Sequence, residues 1–122
     1  AEPSVTAVDI NQQVLAFVQH WAEAWSAQDA DAYLGFYDEA YRPSSGMTRS
    51  QWQTQRRERL ETPRFIEVSI RDAQVQSGTD NHVLVKFVQL YHSDSFSDET
   101  RKMLELLHVD GNWKIFSEEL TH

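Results

Sequence analysis

The chain predicts an α+β domain in which three helices pack on one face of a bent antiparallel sheet. Three observations carry this. Apolar residues recur at helical spacing through the first half. They alternate with a two-residue period through the second half, from Ile66 onward. The 122 residues, 40% of them hydrophobic, suffice for one domain with one core.

Residues 1–8 read as a tether or a mature N-terminus, because AEPSVTAV carries neither a basic nor an apolar leader. Residues 9–122 read as the domain. Asp9 can cap the first helix with Gln12 as its capping-box partner. Val14, Phe17, Val18, Trp21, Ala22 and Trp25 then form its apolar stripe, and Ser26 to Asp29 break it. A short second helix carries Ala32, Tyr33, Phe36 and Tyr37. Tyr41 to Gly46 is a loop, given its Pro, Ser and Gly. Thr48 opens the third helix, with Gln51 completing a capping box and Met47 and Trp52 placed as a hydrophobic staple. Pro63 ends it by disfavouring helical geometry at Thr62.

Strands follow. Ile66, Val68 and Ile70 alternate, and the phase then slips to Ala73 and Val75. A slip at Arg71–Asp72 predicts a bulge that bends the sheet. Gly78 to Asn81 is a turn. Val83 to Ser93 is a strand apolar on both faces, with Val83, Val85, Phe87 and Tyr91 on one and Leu84, Val88 and Leu90 on the other. Met103 to Val109 behaves alike. Asp110–Gly111 signals a hairpin, and Trp113, Ile115 and Phe116 open the last strand. Two-faced strands need two covers. The helices supply one, and a second copy of the chain, a homodimer through the sheet, is expected to supply the other. The 93–100 loop and the C-terminus are the alternative covers.

Charge narrows the partners. Nineteen acids against eleven bases give a net charge of −8, which argues against nucleic acid and anionic lipid. No apolar run approaches the roughly 20 residues of a membrane span. With no cysteine, the chain has no disulfide, no Cys-based zinc site and no Cys nucleophile. No cofactor motif is present.

The candidate site residues are polar and aromatic groups expected near the mouth of the fold. Gln89 shares a strand face with Phe87 and Tyr91, so its amide either meets a ligand or satisfies backbone inside the protein. Arg56 shares a helical face with Arg49 and Trp52, and a guanidinium beside an indole can bind a carboxylate. Within the cluster Arg49, Arg56, Arg57 and Arg59, the alternative is a solvated face, with Arg57 and Glu61 spaced four apart. Tyr33 and Tyr37 form either an aromatic wall or core. Neither His92 with His108 across paired strands, nor His20, His82 and His122, makes a metal set. Asp94, Asp98 and Glu99 read as a solvated loop without the spacing of a calcium site.

The segments WAEAWSAQDADAYLGFY, SGMTRSQWQTQRRERL, VKFVQLYHSD and GNWKIFSEE together resemble the nuclear transport factor 2-like (SnoaL-like) superfamily. The resemblance runs from about Val14 to Glu119. Trp52 and Arg56 with Phe87, Gln89 and Tyr91 are similar to the C-terminal domain of bacterial L,D-transpeptidase and L,D-carboxypeptidase peptidoglycan proteins. The resemblance implies a cone-shaped fold and an accessory role, since the catalytic domain of those proteins uses a cysteine that this chain lacks. With that role, a peptidoglycan fragment or cell-wall enzyme is expected to bind at the residues picked out by position, Tyr33, Tyr37, Trp52, Arg56, Gln89 and Tyr91, in a periplasmic or otherwise exported setting, with a cytoplasmic one as the alternative. Enzymes of the superfamily place an acid in the cone as general base, and Glu105, Glu118 and Glu119 are the candidates here. An isomerase- or cyclase-type enzyme and a pure dimerisation module are the rival functions.

Overall fold

The computed structural model describes residues 7–41, 43, 46–77, 81–109 and 111–121. Helices α1 (Ala7–Ser26), α2 (Ala30–Gly35) and α3 (Arg49–Glu61) precede strands β1 (Ile66–Ser77), β2 (His82–Ser93), β3 (Ser97–Val109) and β4 (Asn112–Leu120). The four strands form one antiparallel sheet in the order β1-β2-β3-β4. Helices lie over one face of it, as the α+β reading expects.

Helix α1 begins at Ala7, so Asp9 lies within it rather than capping it. Residues 1–6, the rest of the expected tether, lie outside the described residues. Val14, Val18, Trp21 and Ala22 are fully or almost fully buried, and Trp25 nearly so. At the helix end Gln28 turns the chain with φ +58. Its amide donates to the carbonyls of Leu60 (2.8 Å) and Pro63 (2.6 Å), tying that turn to the end of α3. Asp29 caps α2 by accepting from the Ala32 amide at 3.1 Å.

Helix α2 stops at Gly35, short of the expected Phe36 and Tyr37. Those two residues leave it because their backbone is used by β4 instead. The Ile115 amide donates to the Phe36 carbonyl and the Asp38 amide to the Ile115 carbonyl, both at 2.8 Å. This short pairing covers part of the β4 edge. Of the Tyr41–Gly46 loop, Arg42, Ser44 and Ser45 lie outside the described residues. Helix α3 starts as its sequence dictates. Thr48 accepts from the Gln51 amide at 3.1 Å, and the Gln51 side chain accepts from the Thr48 amide at 3.0 Å. Trp52 is buried and Met47 half-buried; Thr62 is the C-cap ahead of Pro63 but keeps helical geometry at φ −70 and ψ −44, contrary to the expectation from Pro63.

The bulge falls where the apolar phase slips. Pairing of β1 with β2 shifts between Arg71 and Gln74, and Asp72 takes the extra residue's left-handed backbone at φ +56. A second shift, between Glu105 and Leu106 on the β3–β4 pair, leaves Phe116 of β4 without a partner in the register. Of the Gly78–Asn81 turn only Asn81 is described. Asp110 lies outside the described residues, while Gly111 has φ +81, a conformation that glycine adopts without a Cβ penalty.

Strand β3 is longer than the sequence suggests. It starts at Ser97, so Asp98 and Glu99 pair with Tyr91 and Leu90 instead of sitting in a loop. Their polar side chains hide an extended backbone that needs only hydrogen bonds to β2. Asp94 alone of the three acids stays at the hairpin tip. The inner face of the sheet carries Val83, Val85, Phe87, Gln89 and Tyr91 from β2, and Lys102, Leu104 and Leu106 from β3. The outer face carries Leu84, Val88, Leu90, Met103 and Leu107, most of them half-buried.

Candidate functional site

The site is a hollow of about 940 Å³ between α3 and the inner sheet face. Aromatic packing frames it. The Trp21 ring lies 5.3 Å from Trp25 and 5.9 Å from Phe87, and Tyr37, Tyr41 and Trp52 lie 4.7–4.9 Å apart. Trp52, Arg56, Gln89 and Tyr91 all line the hollow. Tyr33 and Tyr37 do not; both are buried behind it and act through their hydroxyls.

At its base lies a charged cluster. Glu118 accepts a hydrogen bond from the Lys102 ammonium at 2.6 Å and another from the Tyr37 hydroxyl at 2.8 Å. The nearest Arg56 nitrogen is 3.7 Å from the same carboxylate, an ion pair without a hydrogen bond. Arg56 instead donates to the Tyr33 hydroxyl at 2.9 Å, and Tyr33 and Tyr37 are joined at 3.0 Å. The side chains of Lys102 and Glu118 are only 7% and 5% exposed. Lys102 also lies 5.5 and 5.4 Å from the Trp21 and Trp25 rings, whose faces attract a cation.

Burial alone would raise the Glu118 pKa. The Lys102 and Arg56 charges, with hydrogen bonds from Lys102 and Tyr37, reverse this and hold the carboxyl below its ordinary value. Burial pushes the Tyr33 hydroxyl up to about 12, against the opposing Arg56 charge. Burial and the Glu118 charge raise Tyr37 and Tyr41 further. Burial would lower Arg56, but the surrounding oxygens, Tyr33 and Glu118 first, keep it more basic than usual. The cluster thus sets Arg56 and Lys102 against one carboxylate, and its phenols stay neutral at neutral pH. Four buried polar atoms around it, Arg56 Nε, Trp21 Nε1, Trp52 Nε1 and Gln89 Oε1, have no hydrogen-bond partner among the described residues.

The three acid candidates separate. Glu118 points into the hollow, and Glu119 is exposed at its mouth. Glu105 belongs to the outer face, where it pairs with His82 at 2.6 Å. His92 and His108 are not neighbours: His92 pairs with Ser97 and His108 stacks on Trp113 at 4.5 Å. Register separates them because they sit at opposite ends of the sheet. Among the described residues no group of three or more His, Asp and Glu could hold a metal. Arg57 pairs with Asp31 of α2, not with Glu61 alone. Arg49 ties the loop carbonyls of Asp38 (2.8 Å) and Glu39 (3.3 Å); its guanidinium lies 5.9 Å from the Trp52 ring, and that of Arg56 lies 5.7 Å from it.

Sequence reasoning misses Lys102. The alternation of Leu104 and Leu106, carried one step upstream, puts Lys102 on the same inner face, but the apolar run that marks the strand opens one residue later, at Met103.

Comparisons with known proteins agree with this architecture. Comparison with curated proteins finds no match. Among solved structures the chain is similar to Bd1075 of Bdellovibrio bacteriovorus, with 29% identity and a TM-score of 0.80 over 93% of this chain and 41% of that one. It is similar to the helical cell shape determining protein Pgp2 of Campylobacter jejuni (K307A mutant), with 19% identity and a TM-score of 0.83 over 93% and 41% of the two chains. Aln2 of a Streptomyces species is similar at 11% identity and a TM-score of 0.80, over 96% of this chain and 93% of that one. The likeness to Pgp2 and Aln2 is one of fold. The chain spans 41% of the length of Bd1075 and of Pgp2. Residues 13–119 match the Cds6 C-terminal NTF2-like domain, and with the α+β cone described above this establishes that the chain belongs to that family.

Proposed function

We propose that this is a noncatalytic ligand-binding domain whose hollow takes an anionic fragment of the cell wall and so positions an associated peptidoglycan enzyme or scaffold. The proposal places the protein outside the cytoplasmic membrane. The observation that carries it is the excess positive charge buried at the base of the hollow in a protein of net charge −8. The similarity to a cell-shape-determining protein supports the choice of the wall as the ligand's source. Titrating the isotope-labelled domain with purified muropeptides tests it. Shifts at Trp52, Arg56, Gln89 and Tyr91 are expected, and spectra unchanged at all four would remove the ligand.

One observation favours a second reading. Glu118 is an enclosed carboxylate in a fold that also serves enzymes by proton transfer. Its environment argues against a base, because its oxygens already hold Lys102 and Tyr37 and its pKa is lowered. Turnover of a small carbonyl substrate that disappears in Glu118→Gln would favour the enzyme instead.

For the outer sheet face, where Leu84, Leu90, Met103 and Leu107 lie half-buried with no helix over them among the described residues, we propose a second copy of the chain as the cover.

A further inference from the structure

We propose that the hollow recognises a terminal carboxylate with an amide N–H beside it, the end of a peptide, with Arg56 taking the charge and Gln89 the neighbouring hydrogen. This deepens the ligand-binding reading above and rests on it.

Charge comes first. Lys102 and Glu118 satisfy one another at 2.6 Å, which leaves Arg56 as the cation at the base without a hydrogen-bonded carboxylate; Arg59 also lines the hollow but is exposed. The Arg56 Nη1 is committed to Tyr33, its Nη2 faces Glu118 at 3.7 Å without a hydrogen bond, and its Nε has no partner. The Nε–Nη2 edge of a guanidinium is the edge that matches the two oxygens of a carboxylate. Tyr33 and the Trp52 face hold the group in one orientation, so little freedom is lost on binding. Glu58, Asp98 and Glu119 also line the hollow, but they are exposed at its mouth, where water weakens their claim on Arg56.

Gln89 supplies the second half. It is 6% exposed, lies among the lining residues, and its Oε1 is buried without a partner. An unpaired buried acceptor asks for a donor, and a ligand in the hollow meets Oε1 only when the Gln89 side chain turns it inward. A simple oxyanion such as sulfate answers Arg56 and not Gln89. A chain-terminal carboxylate preceded by an amide answers both. The last side chain would then meet Trp25, Tyr91, Phe96 and Leu120, of which Phe96 and Leu120 are 59% and 61% exposed. A volume of about 940 Å³ holds more than one residue.

This end-group occurs in wall stem peptides and in protein C-termini. The test uses the 122-residue chain and N-acetyl-alanyl-alanine, in its D,D and L,L forms, followed by NMR. The free acid should bind about tenfold or more tightly than its C-terminal amide, since only the acid offers the guanidinium a negative charge on two oxygens. It should also bind more tightly than acetate, and Gln89→Leu should narrow that second difference alone. Preference for the D,D form assigns the wall as the source, and preference for the L,L form assigns a protein terminus. Equal binding of acid and amide by the unaltered chain overturns the inference whatever the variant does. Muropeptides that bind as well after amidation overturn the inference but leave the wall-ligand reading standing. Dipeptide binding without muropeptide binding does the reverse.

Discussion

At the scale of single residues, Glu118 decides most. It sits between Lys102 and Tyr37 with Arg56 beyond, and burial keeps water from diluting these charges. Glu118→Gln should therefore destabilise the domain by about 3–5 kcal/mol, because it strands two cations in the interior. Urea unfolding at pH 7 measures it. The double variant Glu118→Leu with Lys102→Met should recover much of the loss. The carboxyl's pKa is lowered on folding, so its contribution is present above the ordinary carboxylate range and is lost as pH falls through the folded value. Acid unfolding should be shallower in Glu118→Gln. The phenols report the opposite limb. Tyr33 is raised to about 12, so its contribution is present below the ordinary phenol value of about 10 and is lost as pH rises from there toward about 12. Absorbance titration should find Tyr33, Tyr37 and Tyr41 silent where a free tyrosine ionises, and releasing together as the fold opens. Trp52, Arg56, Gln89 and Tyr91 can be grouped from sequence because helical and strand periods place them on inward faces. The Glu118–Lys102 pair cannot, because it joins two strands whose mutual register is set by their pairing and not by either segment alone.

Helices and strands divide by how local their causes are. The start of α3 is legible to the residue, since Thr48 and Gln51 meet within one turn. Thr48→Ala should cost about 1 kcal/mol, seen as a lower thermal midpoint with the ligand site intact. The β1 bulge is equally legible, since a one-residue slip in apolar phase has few other structural meanings. Asp72 carries φ +56, so Asp72→Val, β-branched in a left-handed position, should destabilise by about 1–2 kcal/mol, measured as a lower urea midpoint. By contrast, the end of α2 and the start of β3 fall elsewhere than the sequence suggests. Phe36 and Tyr37 are captured by β4, which lies far along the chain at Ile115, and Ser97–Thr100 are held mainly by pairing with β2. Neither cause leaves a pattern in the local sequence.

For the molecule as a whole, the two sheet faces have different tasks. The inner face closes the core and the base of the hollow, and the outer face keeps an apolar surface that the proposed second copy would cover. Leu90→Asp should shift a dimer to monomer in light scattering at unchanged far-UV circular dichroism, whereas a wild-type monomer at the same concentration would remove the dimer. Fold class and the two-faced strands follow from periodicity. Which surface meets a partner does not, because half-burial alone names no occupant.

A cation sunk in an acidic body also fixes how an anion must arrive. The domain's field repels it at a distance, and attraction begins only inside the mouth, within the reach of unscreened contacts. Added salt shortens the Debye length, to about 8 Å at physiological strength, and so lowers the outer barrier more than it weakens the inner clasp. Capture of a negatively charged ligand should then quicken as ionic strength rises, the reverse of ordinary electrostatic steering.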